Sequence, residues 1–128
     1  MKIVLVSHET LATHMLATAE AFLGAHDENY ALELRFGDSP DELEDALRAV
    51  ADEGDSSAQM LVLCDIMSGS PFNVASKVSY GNDRMRVVYG MNLGMVMEVM
   101  SNRDDMDAEE LARHVVDLMP TTYGVGPF

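Results

Sequence analysis

Two apolar runs in this sequence each end on a side chain that can do chemistry. "KIVLVSH" closes on His8, and "LVLCDIMSGSPFN" carries Asp65 directly after its apolar stretch. An imidazole is a nucleophile only through a nitrogen that lacks its proton. A carboxylate accepting a hydrogen bond from Nδ1–H fixes that tautomer and leaves Nε2 free to attack. The same carboxylate stabilises positive charge on the ring as Nε2 acquires a phosphoryl group. Beyond Asp65, the small residues Ser68, Gly69 and Ser70 lead into a Ser-Pro helix start. Backbone N–H groups at such a helix N-terminus are open to an anion. Histidine, orienting carboxylate and anion cradle together point to phosphoryl transfer through a phosphohistidine. Taken singly the parts are plainer: Ser-Gly-Ser-Pro is an N-cap and turn, and a histidine at a strand end is often structural.

For His8 and Asp65 to meet, the elements carrying them must be neighbours. "KIVLVS" and "QMLVLCDI" are continuous apolar runs, the pattern of parallel strands buried on both faces. "YALELRF" and "RMRVVYGM" read as two further strands. Between them lie helical stretches. Residues 9–24 carry Leu11, Met15, Ala19 and Phe22 on one face, and Gly24 closes the helix. "SPDELEDALRAV" is opened by Ser39 as N-cap and Pro40 at the first position. "SPFNVASKVSY" starts on Ser-Pro again and ends at Gly81-Asn82. Two more helices follow, about 92–101 and 107–119, the second stopped by Pro120. The tail "TTYGVGPF" can supply only a short, weak strand. Strand–helix alternation implies an α/β fold, a three-layer sandwich whose mostly parallel sheet carries helices on both faces. Its common strand order is 2-1-3-4, with the tail available as an antiparallel fifth strand. In such sheets the working site lies beyond the carboxyl ends of the strands, where their order reverses. That point falls between the first and third strands, which end at His8 and Asp65.

Composition bounds the rest. The chain reads as one domain, 1–128, with 48% hydrophobic and 23% charged residues, ordinary for a globular protein. Its net charge of −14, with Lys2 and Lys77 its only lysines, argues against nucleic acid or an anionic membrane surface as a direct partner. No apolar run approaches the roughly 18–20 residues that span a bilayer, and "MKIVLV" lacks the pattern of a signal peptide. A cytoplasmic location follows. Cys64 is the single cysteine and lies inside an apolar run, so it reads as a core residue and not a nucleophile. His14, His26 and His114 fall on polar faces or a helix end and read as surface residues. No spacing of ligand residues suggests a metal, and no cofactor is implied. Met91, Met95, Met97 and Met100 read as core or dimer-interface filler.

"IVLVSH", "LCDIMSGSPFNVAS" and "YGMNLGMVMEVM" together carry a resemblance that covers essentially the whole chain. The chain resembles the mannose-family enzyme IIA component of the bacterial phosphoenolpyruvate-dependent sugar phosphotransferase system (PTS). "D-x-x-x-G-S-P-F-N" is the most specific element. The resemblance implies that His8 accepts a phosphoryl group from the histidine phosphocarrier protein HPr and passes it to a IIB component. That component in turn serves the membrane proteins IIC and IID. It also implies that Asp65 orients His8, that Ser70 belongs to the phosphoryl-binding loop, and that the protein is a homodimer exchanging a final antiparallel strand.

Three departures from the family pattern bear on this. Glu9 stands where a small residue usually follows the histidine, and a functional enzyme must turn its carboxylate away from the incoming phosphoryl group. Ile66 and Ser68 replace a small polar residue and a glycine. Gly94 replaces a proline, and "GVGPF" is a poor strand. Two other readings stay open: a phosphoryl-donor subunit of a dihydroxyacetone kinase, and a non-catalytic regulatory or binding module of the same fold.

Overall fold

The apolar runs and amphipathic stretches assemble around a parallel sheet in the computed structural model, which describes residues 1–128. Strands β1 (Lys2–His8), β2 (Asn29–Leu34), β3 (Met60–Cys64) and β4 (Met85–Tyr89) lie in the order β2-β1-β3-β4, with every pair parallel. The helices are α1 (Leu11–Leu23), α2 (Pro40–Asp52), α3 (Ser70–Ser79), α4 (Leu93–Asn102) and α5 (Ala108–Leu118), followed by a 3-10 turn at Met119–Thr121. No helix is long and apolar enough to cross a membrane.

β1 and β3 are covered on both faces, which is why they read as unbroken apolar runs. Ile3, Leu5, Leu61 and Leu63 pack with α1, α4 and α5; Val4, Val6, Val62 and Cys64 pack with α2 and α3. These are the three expected layers. Met91, Met95 and Met100 are buried in the first of the two cores, and Met97 packs against it. Helix starts follow local chemistry. Ser39 Oγ accepts the Asp41 N–H at 3.2 Å, Asn92 Oδ1 accepts the Met95 N–H at 2.8 Å, and Asp107 forms a capping box with Glu110.

Two expectations are corrected. The buried face of α1 is Ala12, Leu16 and Ala19, while Leu11 and Phe22 are exposed. The helix is turned by an anchor outside it: buried Ser7 Oγ accepts the Ala12 N–H at 2.7 Å. The small side chains of Ala12 and Ala19 then allow close approach to the sheet. The tail supplies no fifth strand, and the sheet has four. Pro120 carries the chain into the 3-10 turn, and Gly124, Gly126 and Pro127 disfavour a strand beyond it.

The end of the sheet opposite the strand tips is pinned by two buried cations. Lys2 Nζ donates to the carbonyls of Val50 at 2.9 Å, Ala51 at 3.0 Å and Glu53. An ammonium there meets the last carbonyls and the negative dipole end of α2. The Arg103 guanidinium donates to the carbonyls of Met1 and Glu28 and to Asn29 Oδ1, tying α4 to the starts of β1 and β2. Lys2→Met would keep most of the side-chain volume and take the ammonium from all three carbonyls, while Val50 O keeps the Glu53 N–H at 3.3 Å. Stability is expected to fall by about 2–4 kcal/mol, read as a lower urea midpoint at unchanged m-value.

Candidate active site

β1 runs past its partner on one side. Val6 stands opposite Cys64 of β3, while Ser7 and His8 continue alongside Glu33 and Leu34 of β2. β3 ends there, and the Asp65 N–H donates to Val6 O at 3.3 Å as the last rung of the ladder. This is the point where strand order reverses, and it brings His8 and Asp65 together as the topology predicts.

One oxygen of Asp65 serves His8 twice. Oδ2 accepts the His8 backbone N–H at 2.9 Å and lies 2.7 Å from His8 Nδ1. Oδ1 accepts the Ile66 N–H at 2.9 Å. A carboxylate has no proton to give, so Nδ1 carries a hydrogen, and in the neutral ring the lone pair lies on Nε2. Burial pushes the Asp65 carboxyl up, but the His8 backbone and ring and the Ile66 N–H outweigh it, and its pKa lies below the ordinary value. The carboxylate side chain is 8% exposed against 43% for the His8 ring, so the carboxylate is sealed and the ring is open. Neighbouring Cys64 takes no part: burial, helped by the Asp65 charge, pushes its thiol up to about 12.

The ring edge bearing Cε1 and Nε2 faces Gly69. A Cβ on Gly69 would lie 2.6 Å from Cε1 and 3.2 Å from Nε2, so only glycine leaves room for the ring. Gly69 is also the N-cap of α3, with Ser70 the first helical residue and Pro71 the next. The Ser70 and Phe72 N–H groups have no carbonyl a turn earlier to bond, and Pro71 has no N–H. The positive end of the α3 dipole therefore lies beside the ring. Ser68, in the turn before it, has a left-handed φ of 66°, a conformation that glycine adopts with less strain. Ser68, Gly69 and Ser70 thus form one wall of the crevice. An edge-to-face contact of Phe72 with Tyr89, centroids 5.5 Å apart, holds that end of α3 against β4.

Glu9 has the second left-handed non-glycine backbone, φ 50°. Its Oε1 accepts the Phe36 N–H at 2.7 Å, which turns the carboxylate toward the β2–α2 loop. The other histidines stay apart. His14 Nδ1 lies 3.1 Å from Thr10 O, and His26 Nδ1 accepts the Glu28 N–H at 3.0 Å. His114 is not simply a surface residue: it is half-buried, with Nε2 2.8 Å from Glu98 Oε1 between α5 and α4. No three His, Cys, Asp or Glu side chains are grouped to hold a metal ion. Sequence reasoning missed Ser7 as the anchor of α1, because nothing in strand alternation marks an inward serine as a helix cap.

Fold and crevice define an open parallel α/β protein with an oriented histidine at its switch point. A family model described as the PTS system fructose IIA component matches residues 2–116. The chain belongs to this family, the mannose, fructose and sorbose type of PTS enzyme IIA components. It is 31% identical over 103 residues to the mannose-specific EIIAB component of Escherichia coli, covering 80% of this chain and 32% of that protein. The chain thus spans about a third of that relative's length. It is 25% identical to the sorbose-specific EIIA component of Lacticaseibacillus casei, covering 92% of this chain and 85% of the relative. Among solved structures, a PTS component EIIA from Streptococcus agalactiae superposes with TM-score 0.88 at 25% identity, covering 97% of this chain and 95% of that one. A mannose/sorbose-specific IIA subunit from Enterococcus faecalis gives 0.86 at 25% identity, covering 99% and 95%.

The Gly69 contact can be checked without any assay of activity. Gly69→Ala is expected to push the His8 ring off Asp65. The Nδ1–H tautomer signature should then vanish from imidazole nitrogen NMR. Gly124→Ala, whose added Cβ meets nothing within 4 Å, should leave it intact.

Proposed function

We propose that this protein is a cytoplasmic phosphocarrier, a single domain over residues 1–128, whose His8 accepts a phosphoryl group from phospho-HPr and hands it to a IIB component. Sugar uptake through the membrane proteins IIC and IID is then served indirectly. The observation that carries the reading is the pair of His8 bonds to Asp65 Oδ2, which puts the lone pair of the neutral ring on Nε2, beside the N-terminus of α3.

The step balances simply. The Nε2 lone pair attacks phosphorus, and the bond between phosphorus and the donor's imidazole nitrogen breaks. That nitrogen keeps the bonding pair and takes up a proton. Nδ1–H stays bonded to Asp65, whose charge offsets the positive charge gained by the ring. The phosphoryl oxygens are received by the wall of Ser68, Gly69 and Ser70 and by the free N–H groups of α3. Transfer onward to IIB runs the same displacement with His8 as leaving group. No bond in this sequence calls for a metal or cofactor.

Assembly as a homodimer is part of the reading. β4 pairs only with β3, so its other edge is open. A groove of about 520 Å³ runs beside it between Arg86, Tyr89, Val116 and Met119, and beyond Thr122, which accepts from Asn92 Nδ2 at 3.1 Å, the tail joins no strand. An open edge of this kind favours pairing with a second chain.

His8→Ala is expected to abolish labelling by phospho-HPr, followed by mass, while His14→Ala, His26→Ala and His114→Ala keep most of it. Label persisting on the His8 variant would overturn the assignment. Asp65→Asn should fold and transfer at least about tenfold more slowly. Sedimentation at micromolar concentration should show twice the chain mass of 14.0 kDa; a monomer would contradict the dimer.

A further inference from the structure

Five of the seven residues with positive φ are glycines, and the other two, Glu9 and Ser68, flank the crevice of His8 and Asp65. For Glu9 the strain comes with two bonds. Its N–H donates to Leu34 O at 2.9 Å, and its Oε1 accepts the Phe36 N–H at 2.7 Å. The first reaches the end of β2 and the second crosses to the β2–α2 loop. Within that loop the Arg35 N–H donates to Asp38 Oδ2 at 2.8 Å and the Asp38 N–H to Arg35 O at 2.9 Å. The loop is thereby closed, yet it presents the Phe36 ring 99% exposed.

Phe36 stands two residues beyond Leu34, which pairs with His8, so its ring lies at the same end of the sheet as the nucleophile. Across β1, Ile66 and Met67 are 57% and 56% exposed. Ile66 Cγ1 lies 3.6 Å from the position of a Gly69 Cβ. Exposed apolar side chains thus stand in the loops that follow both strands neighbouring β1, at the end of the sheet where His8 lies. A protein that exchanges a group with Nε2 must cover them. An ordinary interface takes about 800 Å² from each partner, a disc of ~16 Å radius around the reacting atom.

We propose that Glu9 is a positioning residue: by holding the Phe36 N–H it fixes the β2–α2 loop so that Phe36, with Ile66 and Met67, forms the surface on which the phosphoryl-donor protein docks. This rests on the phosphocarrier reading. The occupant has an apolar patch beside its own phosphorylated group. Its rim is basic, complementing a chain of net charge −14 and the carboxylates of Glu9 and Asp38 on this loop. Strain at Glu9 is retained because glycine, which would relieve it, has no acceptor to offer.

The test is steady-state transfer from phospho-HPr with Glu9→Gln, Glu9→Gly, Phe36→Ala and the double variant Glu9→Gly with Phe36→Ala. Glutamine keeps an oxygen for the Phe36 N–H, and its KM should stay within about threefold of the parent at physiological salt. Glu9→Gly and Phe36→Ala should each raise KM about tenfold at nearly unchanged kcat. The double variant should be no worse than either single one, because both remove the same contact. Hydrogen exchange at the Phe36 amide should speed up in Glu9→Gly and not in Glu9→Gln. Glu9→Gly should melt no lower than the parent, which separates a docking defect from misfolding. An unchanged KM in Glu9→Gly overturns the proposal, as does an equal rise in Glu9→Gln, which would mean that charge and not the bond is at work. Phe36→Ala that dissociates an oligomer at unchanged KM overturns it too, assigning the ring to a second copy. A parent that takes no label from phospho-HPr defeats the phosphocarrier reading itself; a labelled parent with an indifferent Glu9→Gly defeats only the role of Glu9.

Discussion

Asp65 Oδ2 is the atom on which the crevice depends. It accepts both from the His8 backbone and from the His8 ring, so it sets the main chain at the tip of β1 and the rotamer of the side chain in one step. Hydrogen bonds to a charged acceptor are worth about 1.5–3 kcal/mol each, and with the Ile66 N–H they offset the burial of the carboxylate. The bond is possible only because β1 runs beyond β3 by two residues, which sets His8 alongside Asp65 just past the last rung. Sheet register, tautomer and the availability of Nε2 are thus one constraint seen at three scales.

Strain and rigidity are divided between the two ends of the sheet. The carboxyl ends hold both left-handed non-glycine residues, Glu9 and Ser68, and the missing Cβ of Gly69 that admits the ring. At the opposite end Lys2 and Arg103 bury their charge on main-chain carbonyls and close the layers together. Between them Ile3, Val4, Leu5 and Val6 are fully buried. A core this well packed can hold unfavourable backbone geometry at its rim, as functional sites commonly require.

Where sequence reading failed, it failed for want of a partner. On α1 the side chains Leu11, Met15, Ala19 and Phe22 outline a convincing stripe, yet of these only Ala19 is buried, beside Ala12 and Leu16, with Met15 at the edge of the core. Hydrophobicity ranks side chains by size, whereas a helix packed close to a sheet needs small ones, and Ser7 fixes its rotation from outside. His114 looked solvent-bound on its own helix; its partner Glu98 lies on another. The tail offered a weak strand signal, and with Gly124, Gly126 and Pro127 it stays unpaired although the outer edge of β4 is open.

The amino-acid sequence by itself determined the strand–helix alternation, the parallel sheet with order 2-1-3-4, and the meeting of His8 and Asp65 at its switch point. Those follow from local patterns: apolar runs must be covered, and right-handed crossovers restrict how strands can be ordered. Ser39 marked a helix start for the same reason, since a cap acts within three residues. Only the tertiary structure decided that Asp65 shares one oxygen between two donors, that the His8 ring occupies the space a Gly69 side chain would fill, and that Glu9 reaches Phe36 from a strained backbone. Each of these depends on the distance and angle between segments far apart in the chain. No local pattern encodes such a relation, because it is created by the packing of the layers and vanishes when they separate.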